Sequence, residues 1–246
     1  HAAGGRRPQL RRGHAPAETR LNVFPDSQQT PLSRYGLAES PDGARLREAF
    51  PRFLTDPFEA QAALAFLLLK NRVSVSVTIG PGYQVLLEGG AGLRNPPLAF
   101  DFSHQAHRPA QAIMWQPILG IADRLKALLS AEPLDEANGV SFWDRTLIYV
   151  ATDFGREKRR PAGADQFGTS HHLNNGSVII SPLVRGNSVL GGVDPDTALT
   201  YGFDPRTGAP DRGRTTTEAE LYSGLLQALG VQTPAHLPDV PAMRRA

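Results

Sequence analysis

The chain has 246 residues, 40% of them hydrophobic and 20% charged, which is enough to bury a sizeable core and ordinary for a globular domain. Its formal charge is +2, and the basic residues bunch at Arg6, Arg7, Arg11 and Arg12 and again over 156–160, too locally to argue for nucleic acid. Cysteine is absent, which excludes disulfides, thiolate zinc sites and a cysteine nucleophile; the longest apolar run, residues 62–69, is far shorter than the ~20 residues of a membrane span.

Residues 1–44 read as an extended or disordered arm rich in Pro and Arg, of the kind that orders on a partner. Arg6-Arg7 is followed by no apolar stretch, so it does not read as a signal peptide, and the opening at His1 suggests a processed or truncated chain. One α/β domain is expected over 45–246. A helical pattern begins near Asp42 with Leu46, Phe50, Phe53 and Leu54 on one side, interrupted by Pro51. A second helix is expected over 57–70, with Asp56 as its cap and Pro57 in its first turn.

The alternation over 73–79 predicts a strand, closed by Gly80-Pro81-Gly82. A glycine-bearing loop or hairpin is expected over 83–95, then a short strand over 98–102. The stripe of Ile113, Ile118, Ile121, Leu125, Leu128 and Leu129 predicts a helix over 105–130, with a kink at Pro117. A loop follows over 133–138. Strands are expected over 146–150, 177–180 and 188–193, and a closing helix over 216–229 with Gly230 as its stop. Strands alternating with helices indicate a layered α/β fold with a largely parallel sheet. No internal repeat is evident.

Chemistry concentrates in two clusters. Thr152-Asp153-Phe154-Gly155-Arg156 ends the strongest predicted strand in a carboxylate, a glycine and an arginine. Gly168-Thr169-Ser170-His171-His172 brings two imidazoles in the next loop. Asp153 reads as a metal ligand or as a turn carboxylate. Arg156 suits a phosphoryl or sulfuryl oxygen through its planar fork, or is a plain surface arginine. Neighbouring His171 and His172 cannot both face one point in regular structure, so one is assigned as ligand and the other as assisting donor. Asp101, Ser103, His104 and His107 form a further set that could supply ligands to a second ion. Ser103, Thr169 and Ser170 offer hydroxyls near imidazoles, but none stands in a Gly-x-Ser-x-Gly context.

These segments resemble a bacterial family known as domain of unknown function 1501, grouped with alkaline phosphatases and sulfatases. Phe100-Asp-Phe-Ser-His-Gln105 is similar to its Asp-x-His motif, and 152–156 to its Ser/Thr-Glu/Asp-Phe-Gly-Arg motif. Residues 168–171 are similar to Gly-Thr-Asp-His, and 217–230 to a closing helix ending in Ala-Leu-Gly. The likeness covers roughly residues 45–232. It implies an alkaline-phosphatase-like three-layer α/β/α sandwich and a divalent metal site (zinc, calcium, magnesium or manganese). The carried-over ligands are Asp101, Asp153 and His171, with His104. It also implies export to the periplasm or cell surface. Departures are present: the Asp-x-His motif is longer by one residue, Ser170 replaces the acid, and the superfamily's opening strand has no counterpart before residue 45. They imply either that part of the N-terminal half is missing or that the site is degenerate.

Two functions follow as expectations. The first is a metal-dependent hydrolase of phosphate or sulfate esters, with Asp101, His104, Asp153 and His171 on the metal, His172 assisting and Arg156 holding an anionic small-molecule ester. The second is a non-catalytic exported binding or assembly subunit, partnered by another protein subunit, in an oligomer or beside a second chain that carries the missing half.

Overall fold

In the computed structural model, which describes residues 42–80, 100–157 and 159–245, the chain divides into two units, His1–Ile79 and Gly80–Ala246. The expected arm, apart from residues 42–44, lies outside the described residues, as do the loop over 83–95 and the start of the strand over 98–102.

In the first unit, helices α1 (Gly43–Ala49) and α2 (Pro57–Lys70) form where the pattern and the cap require. Asp56 Oδ1 accepts from the Phe58 and Glu59 amides at 2.9 and 3.4 Å, and Pro57 sits where a missing N–H costs nothing. Pro51 follows the end of α1, and Arg52 then ties the turn to α2 by an ion pair with Asp56 at 3.0 Å and a backbone bond to Glu59 at 2.7 Å. Leu46, Phe50, Phe53 and Phe66 are fully buried, each contributing about 2 kcal/mol of apolar burial.

The strand expected over 73–79 does not form. The segment pairs with no strand among the described residues, and Val75 is 99% exposed. Ser74 and Ser76 bond to each other through hydroxyl and backbone, a local alternative to a ladder.

The second unit carries α3 (His107–Ala131), which runs through Pro117 and buries Ala110, Met114, Ile121, Leu125, Leu128 and Leu129. The loop expected over 133–138 instead holds β1 (Pro133–Asp135) and a 3-10 turn, and β1 pairs antiparallel with β2 (Val140–Ser141) just beyond it. Strand β3 (Ile148–Val150) pairs antiparallel with β6 (Val178–Ile180), Tyr149 opposite Ile179. Between them lies the antiparallel pair β4 (Gly155–Arg156) and β5 (His171–His172). Strands β7 (Gly192–Val193), β8 (Thr200–Phe203) and β9 (Pro210–Asp211) form an antiparallel meander.

Helix α4 (Glu218–Ala228) opens with a reciprocal capping box between Thr217 and Glu220. It packs Leu225 with Phe203, Val240, Ala242 and Met243, against Tyr149 and Ile179 of the β3–β6 pair. No helix among the described residues is long and apolar enough to cross a membrane.

The expected three-layer α/β/α sandwich with a largely parallel sheet is therefore overturned. The sheets among the described residues have two or three strands, all antiparallel. A parallel neighbour needs a crossover, usually helical, whereas β3 reaches β6 through the β4–β5 pair with no helix between. Residues 101–104, expected to follow or end a strand, wind into a 3-10 helix, Asp101–His104.

A short repeat does exist. The turns joining β7 to β8 and β8 to β9 are Asp194-Pro195-Asp196-Thr197-Ala198 and Asp204-Pro205-Arg206-Thr207-Gly208. In each, the aspartate Oδ1 accepts from the amides two and three residues on, at 3.0 and 2.9 Å in the first and 2.8 and 2.8 Å in the second. Its carbonyl accepts from the fifth residue at 2.8 Å in both. That fifth residue is left-handed: Ala198 has φ 59° and Gly208 φ 79°.

Candidate functional site

The register of β4 and β5 sets Arg156 opposite His171 and Gly155 opposite His172. Successive strand residues point to opposite faces, so Arg156 and His171 share one face and His172 lies on the other. Two close backbone approaches hold this pair in place. A Cβ on Gly155 would fall 1.7 Å from Asn174 O, and one on Gly168 would fall 2.0 Å from His104 O. Only glycine admits such contact.

Against this face the loop before β5 is pinned to the turn before α3. Thr169 N donates to Ser103 O at 2.7 Å, and His107 N donates to Phe167 O at 2.9 Å. The Thr169 hydroxyl lies 3.3 Å from Ser103 O and 3.1 Å from His107 Nδ1. Ser103 is fully buried, and its hydroxyl accepts from Gln111 Nε2 at 3.0 Å; Gln111 in turn accepts from Trp115 Nε1 at 2.9 Å. The first turns of α3 thereby fix the backbone that carries His104.

The result is a convergence of three basic side chains. His104 Nε2 lies 3.1 Å from His171 Nε2, and Arg156 Nη1 lies 3.0 Å from His104 Nε2. Arg156 also donates to Thr169 O at 3.2 Å and to Phe100 O at 3.1 Å. The Phe154 ring stacks on His171 with centroids 3.8 Å apart, and the Arg156 guanidinium carbon stands 5.3 Å from that ring's centre. Arginine only donates, so its bond to His104 uses the Nε2 lone pair and assigns that ring's proton to Nδ1. Burial, and then the charge of Arg156, hold the His107 pKa below its ordinary 6.5.

The predicted residues thus divide. His104, His171 and Arg156 come together. Asp153 turns its carboxylate to the Phe154 amide, Oδ1 accepting at 3.1 Å. His172 Nδ1 is engaged by Asn174 Nδ2 at 2.8 Å, while Asn174 Oδ1 accepts from the Thr200 hydroxyl at 2.7 Å, tying that ring to β8. Asp101 opens the 3-10 helix, and its side chain lies outside the described residues. Among the described residues no three His, Asp or Glu side chains gather to hold a metal. The aromatic support from Phe154 and the Ser103–Gln111–Trp115 chain were not expected from sequence. Of these, only the four-residue spacing of Gln111 and Trp115 in the predicted helix was a signal the sequence carried.

The imidazole pair has the spacing of two ligands in a metal centre. Two nitrogens on a tetrahedral zinc at ~2.0–2.1 Å stand roughly 3.3 Å apart, close to the 3.1 Å between the rings. Imidazole donors suit zinc, whereas calcium, magnesium and manganese prefer oxygen. The spacing fits two ligands of such an ion, and His104 would take it by exchanging the Arg156 donor at Nε2 for the cation.

No protein-family model, no curated protein and no solved structure matches the chain.

Proposed function

We propose that this chain is a metal-dependent hydrolase of phosphate or sulfate esters, with His104 and His171 holding a zinc-like cation and Arg156 holding the ester's anionic oxygens. The observation that carries the reading is the meeting of His104 Nε2, His171 Nε2 and Arg156 Nη1 within 3.1 Å of their neighbours. The resemblance of 100–105, 152–156 and 168–171 to phosphatase- and sulfatase-like motifs supports it, and carries export to the periplasm or cell surface with it.

A bound divalent cation supplies Lewis-acid polarisation of a phosphoryl or sulfuryl oxygen. Arg156 supplies a fixed fork for the remaining oxygens; its bonds to the Thr169 and Phe100 carbonyls aim it in advance. Phe154 keeps the His171 ring in one plane by stacking. Thr169 is 3% exposed, with its hydroxyl beside Ser103 O and His107, so it is not presented to a substrate. Water is the nucleophile in this reading.

Purified protein equilibrated with zinc should bind the metal and cleave an aryl phosphate or aryl sulfate, and His171→Ala should abolish both. Protein that binds neither metal nor oxyanion would remove the reading. That result would favour the binding or assembly subunit, for which the tethering of His172 to Asn174, off the cluster's face, is the structural argument.

A further inference from the structure

The sequence contains two Asn-Gly steps, Asn138–Gly139 and Asn175–Gly176, and the structure holds them in opposite ways. An Asn-Gly step is chemically labile because an unhindered glycine nitrogen can attack the preceding side-chain amide. At the first step the asparagine is drawn backward: Asn138 Nδ2 donates to Asp135 Oδ2 at 2.7 Å and its amide to Asp135 Oδ1 at 3.3 Å. Gly139 has φ 66°, and its nitrogen donates to Glu136 O at 3.2 Å. Here the attacking nitrogen is committed to the Glu136 carbonyl and not to the side-chain amide.

At the second step they face each other. Gly176 N donates to Asn175 Oδ1 at 2.8 Å, which brings the nitrogen against the side-chain amide it would attack. The Thr152 hydroxyl also donates to that Oδ1 at 2.7 Å, and Asn175 Nδ2 donates to Thr152 O at 2.6 Å. A donor on the carbonyl oxygen stabilises the charge that builds there during attack. Both residues are exposed, and a Cβ on Gly176 would meet nothing within 4 Å, so the backbone has room to close a ring.

We propose that Asn175 is a self-modification site, converted through a cyclic imide to aspartate and isoaspartate. Gly176 N loses its proton and bonds to Asn175 Cγ, and the Cγ–Nδ2 bond breaks to release ammonia. Water then adds to either imide carbonyl and opens the ring. The product replaces the Nδ2 donor with a carboxylate that repels Thr152 O, so the link between the segments leaving β3 and β5 is lost and a negative charge appears beside Asp153. The inference is independent of the hydrolase reading.

The test is ageing of the folded full chain in mildly alkaline buffer, read by peptide mapping for a gain of about one dalton and for isoaspartate. Asn175 should convert at least roughly tenfold faster than Asn138, and in denaturant the ratio should fall to about one, since both are followed by glycine. Gly176→Ala, whose methyl enters open space, should slow conversion at 175 by about tenfold or more while leaving the fold intact. Equal rates at the two sites in the folded protein, or a rate at 175 unchanged by Gly176→Ala, would overturn the proposal.

Discussion

His104 and His171 meet through their Nε2 atoms at 3.1 Å although they stand 67 positions apart in the chain. The contact depends on side chains from a 3-10 turn and a two-residue strand, so each can be removed without touching the core. His104→Ala and His171→Ala should each weaken zinc binding by at least about a hundredfold, measured by competition with a chromophoric chelator. His172→Ala should change it by less than about threefold, because that ring lies on the opposite face of β5.

Arg156 joins the cluster through a fork with three separate acceptors. Lysine keeps the charge but cannot span the Thr169 and Phe100 carbonyls together. Arg156→Lys should weaken inhibition by inorganic phosphate or sulfate by roughly tenfold while zinc affinity stays within about threefold. Titrating both ligands against the variant separates anion holding from metal holding.

The paired turns make an internal comparison. Ala198 carries the left-handed backbone that Gly208 carries in the second copy, and a side chain there costs about 1 kcal/mol. Ala198→Gly should raise stability to denaturant by at most about 0.6 kcal/mol, once the added freedom of the unfolded chain, about 0.4 kcal/mol or more, is subtracted. Gly208→Ala should lower it by about 1–2 kcal/mol, since its Cβ would also stand 3.2 Å from Leu190 Cδ2.

His107 gives stability a sign with pH. Its pKa is lowered, first by burial and then by Arg156, so the folded protein favours the neutral ring. As pH falls through the ordinary histidine value, the unfolded chain takes up the proton first, and stability drops until the folded form also titrates. Denaturation midpoints between about pH 7.5 and about pH 5.5 should fall more steeply for the parent than for His107→Gln.

Helices were legible because their signals are local. Asp56, Pro57 and the apolar run mark α2, and Thr217 with Glu220 marks the start of α4. The sheet was not legible, because alternation describes a face and not a partner. Residues 73–79 have the strand pattern, yet Ser74 and Ser76 satisfy each other instead. Tyr149 and Ile179 pair antiparallel through a return path that periodicity does not encode. Within the site, Arg156 and His171 were visible as residue types, whereas the face each occupies came from a register of two residue pairs. The duplicated turn carries little sequence signal because its unit is only a few residues long.

Gly168 lets two stretches of main chain touch where any other residue would place an atom 2.0 Å from the His104 carbonyl. It acts as a shim of zero thickness between the two loops that bear the imidazoles. A methyl group inserted there is a wedge, and the first thing it would prise open is the gap between rings that Gly168 itself never contacts. A screen for loss of metal binding should therefore recover substitutions at this silent position alongside those at the histidines.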